Sequence, residues 1–369
     1  MKVQILNRET KCRHEVAGFV RTGSVGGLLL LFLLFLLISL QPIAADTSSR
    51  SRIESRLAAA VEELGRAIEA NGATKDGSAT AGAPNVVALG TITYADKGIG
   101  SEFSAFIEEK LRFSLRVSPR FQVSDSDNLD KVMEQLKIAL SGLADETTGP
   151  EIGELKSVTA LLAGRYYEEG SEIVLTLELT EVETGLSIAG QELRLSRRDI
   201  PAEIALFPEN YQDAMEVIAE LSDLMQSTGE GLETRVWTSR GNGATYSDGK
   251  NLVIRFFANR PCFIKVYHID VNKKTSLIFP NDYYSDNRIE AEKIYSIPDD
   301  HYPFRFELGA PYGTEFIKVI ASTRQFADVE EAFSDLGVAD GQLMTRGLAV
   351  KQRDELRSEE MISYTIVED

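Results

Sequence analysis

The run Leu28–Leu40, LLLLFLLFLLISL, limits what this chain can be more than any other stretch. A helix made of it would have no side fit to face water, so it does not belong on the surface of a globular domain. No charged residue lies between Thr22 and Ala45. Lys2, Arg8, Lys11, Arg13 and Arg21 precede the run, offset only by Glu9 and Glu15. A basic leader, an apolar core and the small pair Ala44-Ala45 make the pattern of a secretory signal. Residues 22–45 also reach the roughly 20 needed to cross a bilayer as a helix. Two fates follow: cleavage after Ala45, or retention as a signal anchor with the basic end in the cytoplasm. Either way the expected location is the periplasm or the periplasmic face of a membrane. No cysteine stands directly after the run, so a lipoprotein is not expected.

The whole chain carries 39 Lys and Arg against 57 Asp and Glu. Residues 1–45 hold five of the basic and two of the acidic side chains, which leaves 34 against 55 beyond them. So acidic a surface repels phosphate backbones, and neither nucleic acid nor nucleotide is an expected partner. The two cysteines are Cys12, in the leader, and Cys262, so no disulfide can form beyond the leader. Cys262 lies in the strand-like RPCFIKVYHI, where a cysteine packs as a small hydrophobe.

Hydrophobic periodicity divides the remainder. Residues 50–70 place Leu57, Val61, Leu64 and Ile68 on one stripe of a helix that needs a surface to pack on, in this chain or a neighbouring subunit. Residues 71–84 are a Gly/Ala/Ser/Thr linker. Residues 85–200 alternate: strand NVVALGTI, helix 101–117, strand FQVSD, helix 128–140, then strand VTALLAGRYYEEG. Two further strands join around Glu183-Thr184-Gly185, a hairpin turn. The pattern predicts a βαβαβββ domain with a mixed sheet. Residues 201–230 read as a helical connector, the helical signal running over 200–226. Residues 233–369 hold strands at short intervals between turns, which predicts an antiparallel, sandwich-like all-β domain able to fold alone. A helix over 327–336 and a closing strand over 360–367 complete it. The fold class is α+β.

Two resemblances follow from particular residues. Trp237, Tyr246, Asp248-Gly249, Leu277-Ile278-Phe279-Pro280-Asn281, Asn287, Ile297-Pro298 and Pro311-Tyr312-Gly313-Thr314-Glu315 stand at spacings that resemble the bacterial domain-of-unknown-function family 4384, over about 234–367. Arg346-Gly347-Leu348 resembles its closing segment. That family implies no catalytic residue. Trp237, Phe279, Pro280, Asn281, Pro298, Pro311, Gly313 and Glu315 are therefore read as structural. The segments VVALGTITYADKGIGSEFSAFIEEKLRFSL, FQVSDSDNLDKVMEQLKIALSGLADE and VTALLAGRYYEEGSEIVLTLELTEVETGLSI resemble envelope assembly domains of the FlgO, CsgG and TolB N-terminal type. Fold-level similarity of this kind implies envelope context without transferring a role.

Gly98-Ile99-Gly100 lacks the third glycine of a dinucleotide loop, since Phe103 occupies that place. Asp125, Asp127 and Asp130 read as helix capping, because Leu129 breaks the cation-loop pattern. Asp282, Asp286 and Asn287 read as a solvated turn. His268 and His301, 33 residues apart, lack zinc-ligand spacing. Tyr283, Tyr284, Tyr295 and Tyr302 read as core or sheet-edge packing rather than ligand stacking. No catalytic residue, metal or cofactor is expected. The expected role is a non-enzymatic envelope module that binds other envelope proteins or itself, possible surfaces being Leu57, Val61, Leu64 and Ile68, and the loop with Asp282, Tyr283, Tyr284 and Arg288. A hydrolase with an accessory β domain and a membrane-anchored ligand sensor are the alternatives. Residues 22–45 would hold the protein to a membrane if they are not removed.

Overall fold

The computed structural model describes residues 41–72, 85–95, 97–124, 158–224, 231–326 and 356–368. The striped segment lies on helix α1 (Gln41–Gly72). The helix starts before Ala44, so the alanines at the expected cleavage position are helical. Leu57, Val61 and Leu64 are fully buried and Ile68 packs beside them, all against the first sheet of the same chain. Arg52 binds Asp199, and Arg120 binds both Glu62, at 3.1 Å, and Glu69, which ties the helix down along its length.

That sheet comprises β1 (Asn85–Tyr94), β2 (Phe121–Val123), β3 (Ala160–Glu169), β4 (Glu172–Glu181) and β5 (Ser187–Ser196), in the order β2-β1-β3-β4-β5. β1 runs parallel to β2 and β3, and β3, β4 and β5 meander antiparallel, so the sheet is mixed. Helix α2 (Glu102–Val117) joins β1 to β2. A capping box between Ser101 and Ser104 satisfies its first backbone donors. Its stripe of Phe103, Ile107, Leu111 and Leu115 is buried beside that of α1, so both helices cover one face of the sheet. The helix expected over 128–140, with Asp125, Asp127 and Asp130, and the one expected over 327–336 fall outside the described residues.

The connector departs from its expected form. Helix α3 (Tyr211–Leu224) is shorter than the helical signal suggested, and residues 200–210 are turns. Pro201 and Pro208 account for this, since neither can donate a helical hydrogen bond. The β-rich half follows, with β6 (Thr234–Thr238), β7 (Ala244–Ser247), β8 (Asn251–Leu252), β9 (Ile254–Ala258), β10 (Cys262–Ile269), β11 (Thr275–Phe279), β12 (Arg288–Ile289), β13 (Tyr295–Ile297), β14 (Phe306–Glu307), β15 (Gly313–Ser322) and β16 (Arg357–Val367). One sheet runs β11-β10-β15-β16-β7, with β12 beside β10; smaller sheets run β13-β9-β6 and β14-β8. All pairs are antiparallel except β16 with β7. The architecture is α+β, with the β-rich sheets wrapped around a core that includes Val236, Phe256, Ile264 and Val319.

Ser49–Asp369 form one compact unit. The α/β and β-rich halves within it share a joint. Ile99, Ala214, Val217 and Leu221 bury Ile269 and Phe316 of the β-rich half. Strand β15 is buried on both faces for this reason, and its residues 313–319 are all buried. The Gly98-Ile99-Gly100 loop, set aside as a nucleotide motif, lies in this joint. The Gly98 carbonyl oxygen accepts from the Ser363 hydroxyl. Gly243 has φ +74, and a Cβ there would stand 2.5 Å from Thr93 Cγ2 and 2.7 Å from Gly98 O, so only glycine fits. Glu108 of α2, buried, accepts from Ile92 N–H at 3.1 Å and from Arg240 Nη2 at 2.6 Å.

A candidate binding cleft in the β-rich half

A half-open cleft of about 530 Å³ lies between β8 and β14 on one side and β10, β15 and β16 on the other. Its walls are mainly apolar, with Leu252, Ile254, Leu308, Ile317 and Ile366 among them. Strand register brings three polar groups together in it. Glu315 of β15 stands directly opposite Tyr364 of β16, and His268 of β10 stands opposite Ile317, one step diagonal from Glu315 on the same face. The Tyr364 hydroxyl donates to Glu315 Oε2 at 2.5 Å. His268 Nε2 lies 2.8 Å from the same oxygen and 3.2 Å from the Tyr364 hydroxyl. Glu315 is 8% exposed and Tyr364 1%. Burial first, and then the Glu315 carboxylate, push the Tyr364 phenol well above its ordinary range, so it keeps its proton and serves as a donor. Asp270, Arg305 and Glu307 add charge at the lining.

The residues singled out from sequence take the following places. Trp237 is buried on β6, and Phe279 is buried against Phe256, ring centroids 5.3 Å apart. Pro280, Pro298 and Pro311 each follow a cis peptide bond. Pro298 is buried, whereas Pro311 is exposed at the cleft. Asn281 organises its loop: Oδ1 accepts from Tyr283 and Tyr284 N–H, and Nδ2 donates to Ile278 O at 2.9 Å. Gly313 leaves room for Asn210, since a Cβ would fall 2.5 Å from Asn210 Oδ1. The Asn210 side chain brackets Thr314, donating to its carbonyl at 2.9 Å and accepting from its N–H at 2.8 Å.

Glu315 differs from the other family-type positions, because its carboxylate belongs to the cleft. His268, which lacks zinc-ligand spacing, is its partner. The signal available in the sequence was a glutamate and a tyrosine at positions of strongly apolar strands, but only the sheet register unites them. Tyr283 and Tyr284 are exposed and Asp282 and Arg288 lie beside them on the surface. Tyr283 packs against Phe304 at 5.4 Å and Tyr284 against Tyr302 at 5.2 Å. Tyr295 stacks on Phe256 at 5.7 Å. In the Asp282–Arg288 loop, Asp286 accepts from Arg288 N–H at 2.9 Å. Cys262 is buried, and burial pushes its thiol up to about 12, out of the reactive range. Among the described residues no cluster of His, Cys, Asp and Glu could hold a metal ion. Among them, too, no helix is long and apolar enough to cross a membrane; residues 1–40, with the Leu28–Leu40 run, lie outside them.

No curated protein matches the chain. Among solved structures, the LpoB C-terminal domain from Escherichia coli is 18% identical with a TM-score of 0.24, covering 38% of this chain and 98% of its own. Lipoprotein GNA1162 from Neisseria meningitidis is 12% identical with a TM-score of 0.21, covering 38% and 96%. TolB from Acinetobacter baumannii is 10% identical with a TM-score of 0.19, covering 66% and 56%. These comparisons overturn the expectation that the protein is not a lipoprotein, since GNA1162 is itself one. That expectation rested on a cysteine lacking directly after Leu40, a feature of the leader and not of the folded part. The unlipidated placement built on it does not stand. In the β-rich half, residues 245–325 match the domain of unknown function DUF4384, inside the span that the residue spacing had marked out.

Proposed function

We propose that this protein is a non-catalytic, envelope-associated module that binds another protein through the cleft of its β-rich half. The observation that carries the reading is the His268–Glu315–Tyr364 cluster. Its three side chains are hydrogen-bonded to one another, and its phenol is held protonated, within mainly apolar walls. That is the composition of a recognition site: apolar lining with a few placed polar groups. Tyr364, held protonated, serves in it as a hydrogen-bond donor. The other family-type side chains support the same reading, because Asn281, Gly313 and Phe279 hold turns and core. The basic, apolar leader supports the envelope association.

A photo-crosslinking amino acid at exposed Arg305, on the rim of the cleft, tests this in native cells. The same label at Leu186, which is 61% exposed in the β4–β5 turn, is the control. A discrete protein adduct from position 305 and none from 186 is the expected result. Turnover of a substrate by the purified chain, lost in Glu315→Gln, would replace the binding reading with an enzyme.

A further inference from the structure

We infer that the cleft recognises a lysine side chain of a partner protein, with the Glu315 carboxylate as the acceptor for its ammonium group. The inference rests on the binding reading given above and names what is bound. Glu315 has nine-tenths of its side chain buried, and both of its donors, Tyr364 and His268, go to Oε2. Among the described residues no donor reaches Oε1. Oε1 is not among the sealed, unpartnered side-chain atoms, so it is reachable from the cleft, and a ligand cation entering there meets an acceptor that no protein donor occupies.

The surroundings select the ligand. The lining holds three carboxylates, Asp270, Glu307 and Glu315, against Arg305 and His268, so it favours a cation. Asp270 Oδ1 is already taken by the N–H groups of Asn272 and Lys274, both at 2.9 Å, and Glu307 is exposed, so Glu315 is the buried carboxylate among the apolar walls. Those walls suit the methylene stem of a long basic side chain, whose charged end alone needs polar company. Lysine fits better than arginine. A guanidinium binds a carboxylate best through both oxygens at once, and here Oε2 is occupied. An ammonium is a point donor and needs only Oε1. The acidity of the chain, −18 overall, favours approach of a basic partner surface.

The test uses the full chain in detergent and the probe N-acetyl-lysine N-methylamide, titrated by calorimetry and amide NMR. The norleucine amide keeps the stem and removes the charge, and the arginine amide keeps the charge and changes its shape. The lysine probe is expected to bind at least tenfold more tightly than norleucine and more tightly than arginine, with shifts at His268 and Tyr364. Glu315→Gln should weaken lysine about tenfold or more, the effect of removing a charged acceptor. Ala310→Trp, which fills the exposed lip without touching the cluster, should abolish binding even if Glu315→Gln were to fold poorly. Equal binding of lysine and norleucine, no binding of lysine, or unchanged affinity in Glu315→Gln would each overturn the inference. Tighter binding of 1,5-diaminopentane than of the lysine amide would assign the cleft to free diamines and overturn the partner assignment. An adduct at position 305 that survives Glu315→Gln would defeat the lysine inference alone and leave the binding reading standing.

Discussion

The α/β half and the β-rich half each bury a glutamate, and they treat it in opposite ways. Glu108 accepts from the Ile92 backbone through Oε1 and from Arg240 through Oε2. Both of its oxygens are engaged, and its work is to join the halves. Glu315 has both donors on one oxygen and presents the other within a cleft. Burial of a carboxylate is therefore no mark of a site by itself. What separates the two is where the unused acceptor capacity lies.

The sharpest way to break this comparison is at Arg240. Arg240→Ala leaves Glu108 buried with only a backbone donor, and removing one partner of a buried pair costs about 3–5 kcal/mol. Burial pushes the Glu108 carboxyl up and Arg240 pulls it back. A raised carboxyl contributes its stability below its unfolded pKa and loses it as pH rises through the folded value. The deficit of Arg240→Ala should thus be largest near pH 7 and shrink on acidification, as measured by urea unfolding. A deficit independent of pH would show that Glu108 is not its source.

Leu64→Ala, in the fully buried stripe of α1, is expected to cost about 2–5 kcal/mol by leaving a cavity. Because α1 packs on the sheet of its own chain, light scattering should give the same mass for variant and wild type. A change of mass would mean that α1 also serves a neighbouring subunit.

Glu315→Gln should lower stability by only about 1 kcal/mol, the scale of one ordinary hydrogen bond. A loss as large as that of Arg240→Ala would make the two glutamates alike and remove the contrast.

The smallest effect concerns Glu62. The Ser118 hydroxyl, donating at 2.5 Å, and then Arg120 hold its carboxyl below the ordinary range, against the opposing effect of burial. A lowered carboxyl gives stability above its unfolded pKa and loses it as pH falls through the folded value. In Ser118→Ala the Glu62 midpoint should rise and that loss should begin at higher pH. An unchanged midpoint in a carboxyl NMR titration would discard the role of Ser118.

Periodicity made most of the elements legible. The stripe Leu57, Val61, Leu64, Ile68 and the turn at Glu183-Thr184-Gly185 could be read directly, because the signal is local. NLVIRFFAN reads as one strand, yet it divides into β8 and β9, which pair in different sheets. The cleft was not legible for a related reason. His268, Glu315 and Tyr364 lie on three strands, and only long-range register makes them neighbours. Glu315 could be read as one residue of a family-like spacing, but its spare oxygen could not. The Gly98 and Gly243 loops likewise look like ordinary turns until the halves meet.

The parallel pairing of β16 with β7 sets an order of assembly. Tyr364 lies beside Ala244, 120 positions earlier in the chain, whereas β10 and β11 form a local hairpin. Pairings between distant segments close large loops and form late. A chain emerging from a ribosome or through a membrane channel can lay down β10, β11 and β15 while the place of β16 is still vacant. Glu315 then waits without its phenol donor, and the long edge of β15 is open to any passing strand. The His268–Glu315–Tyr364 cluster is complete only when β16 arrives, so the finished cleft reports that the whole sheet has been threaded correctly.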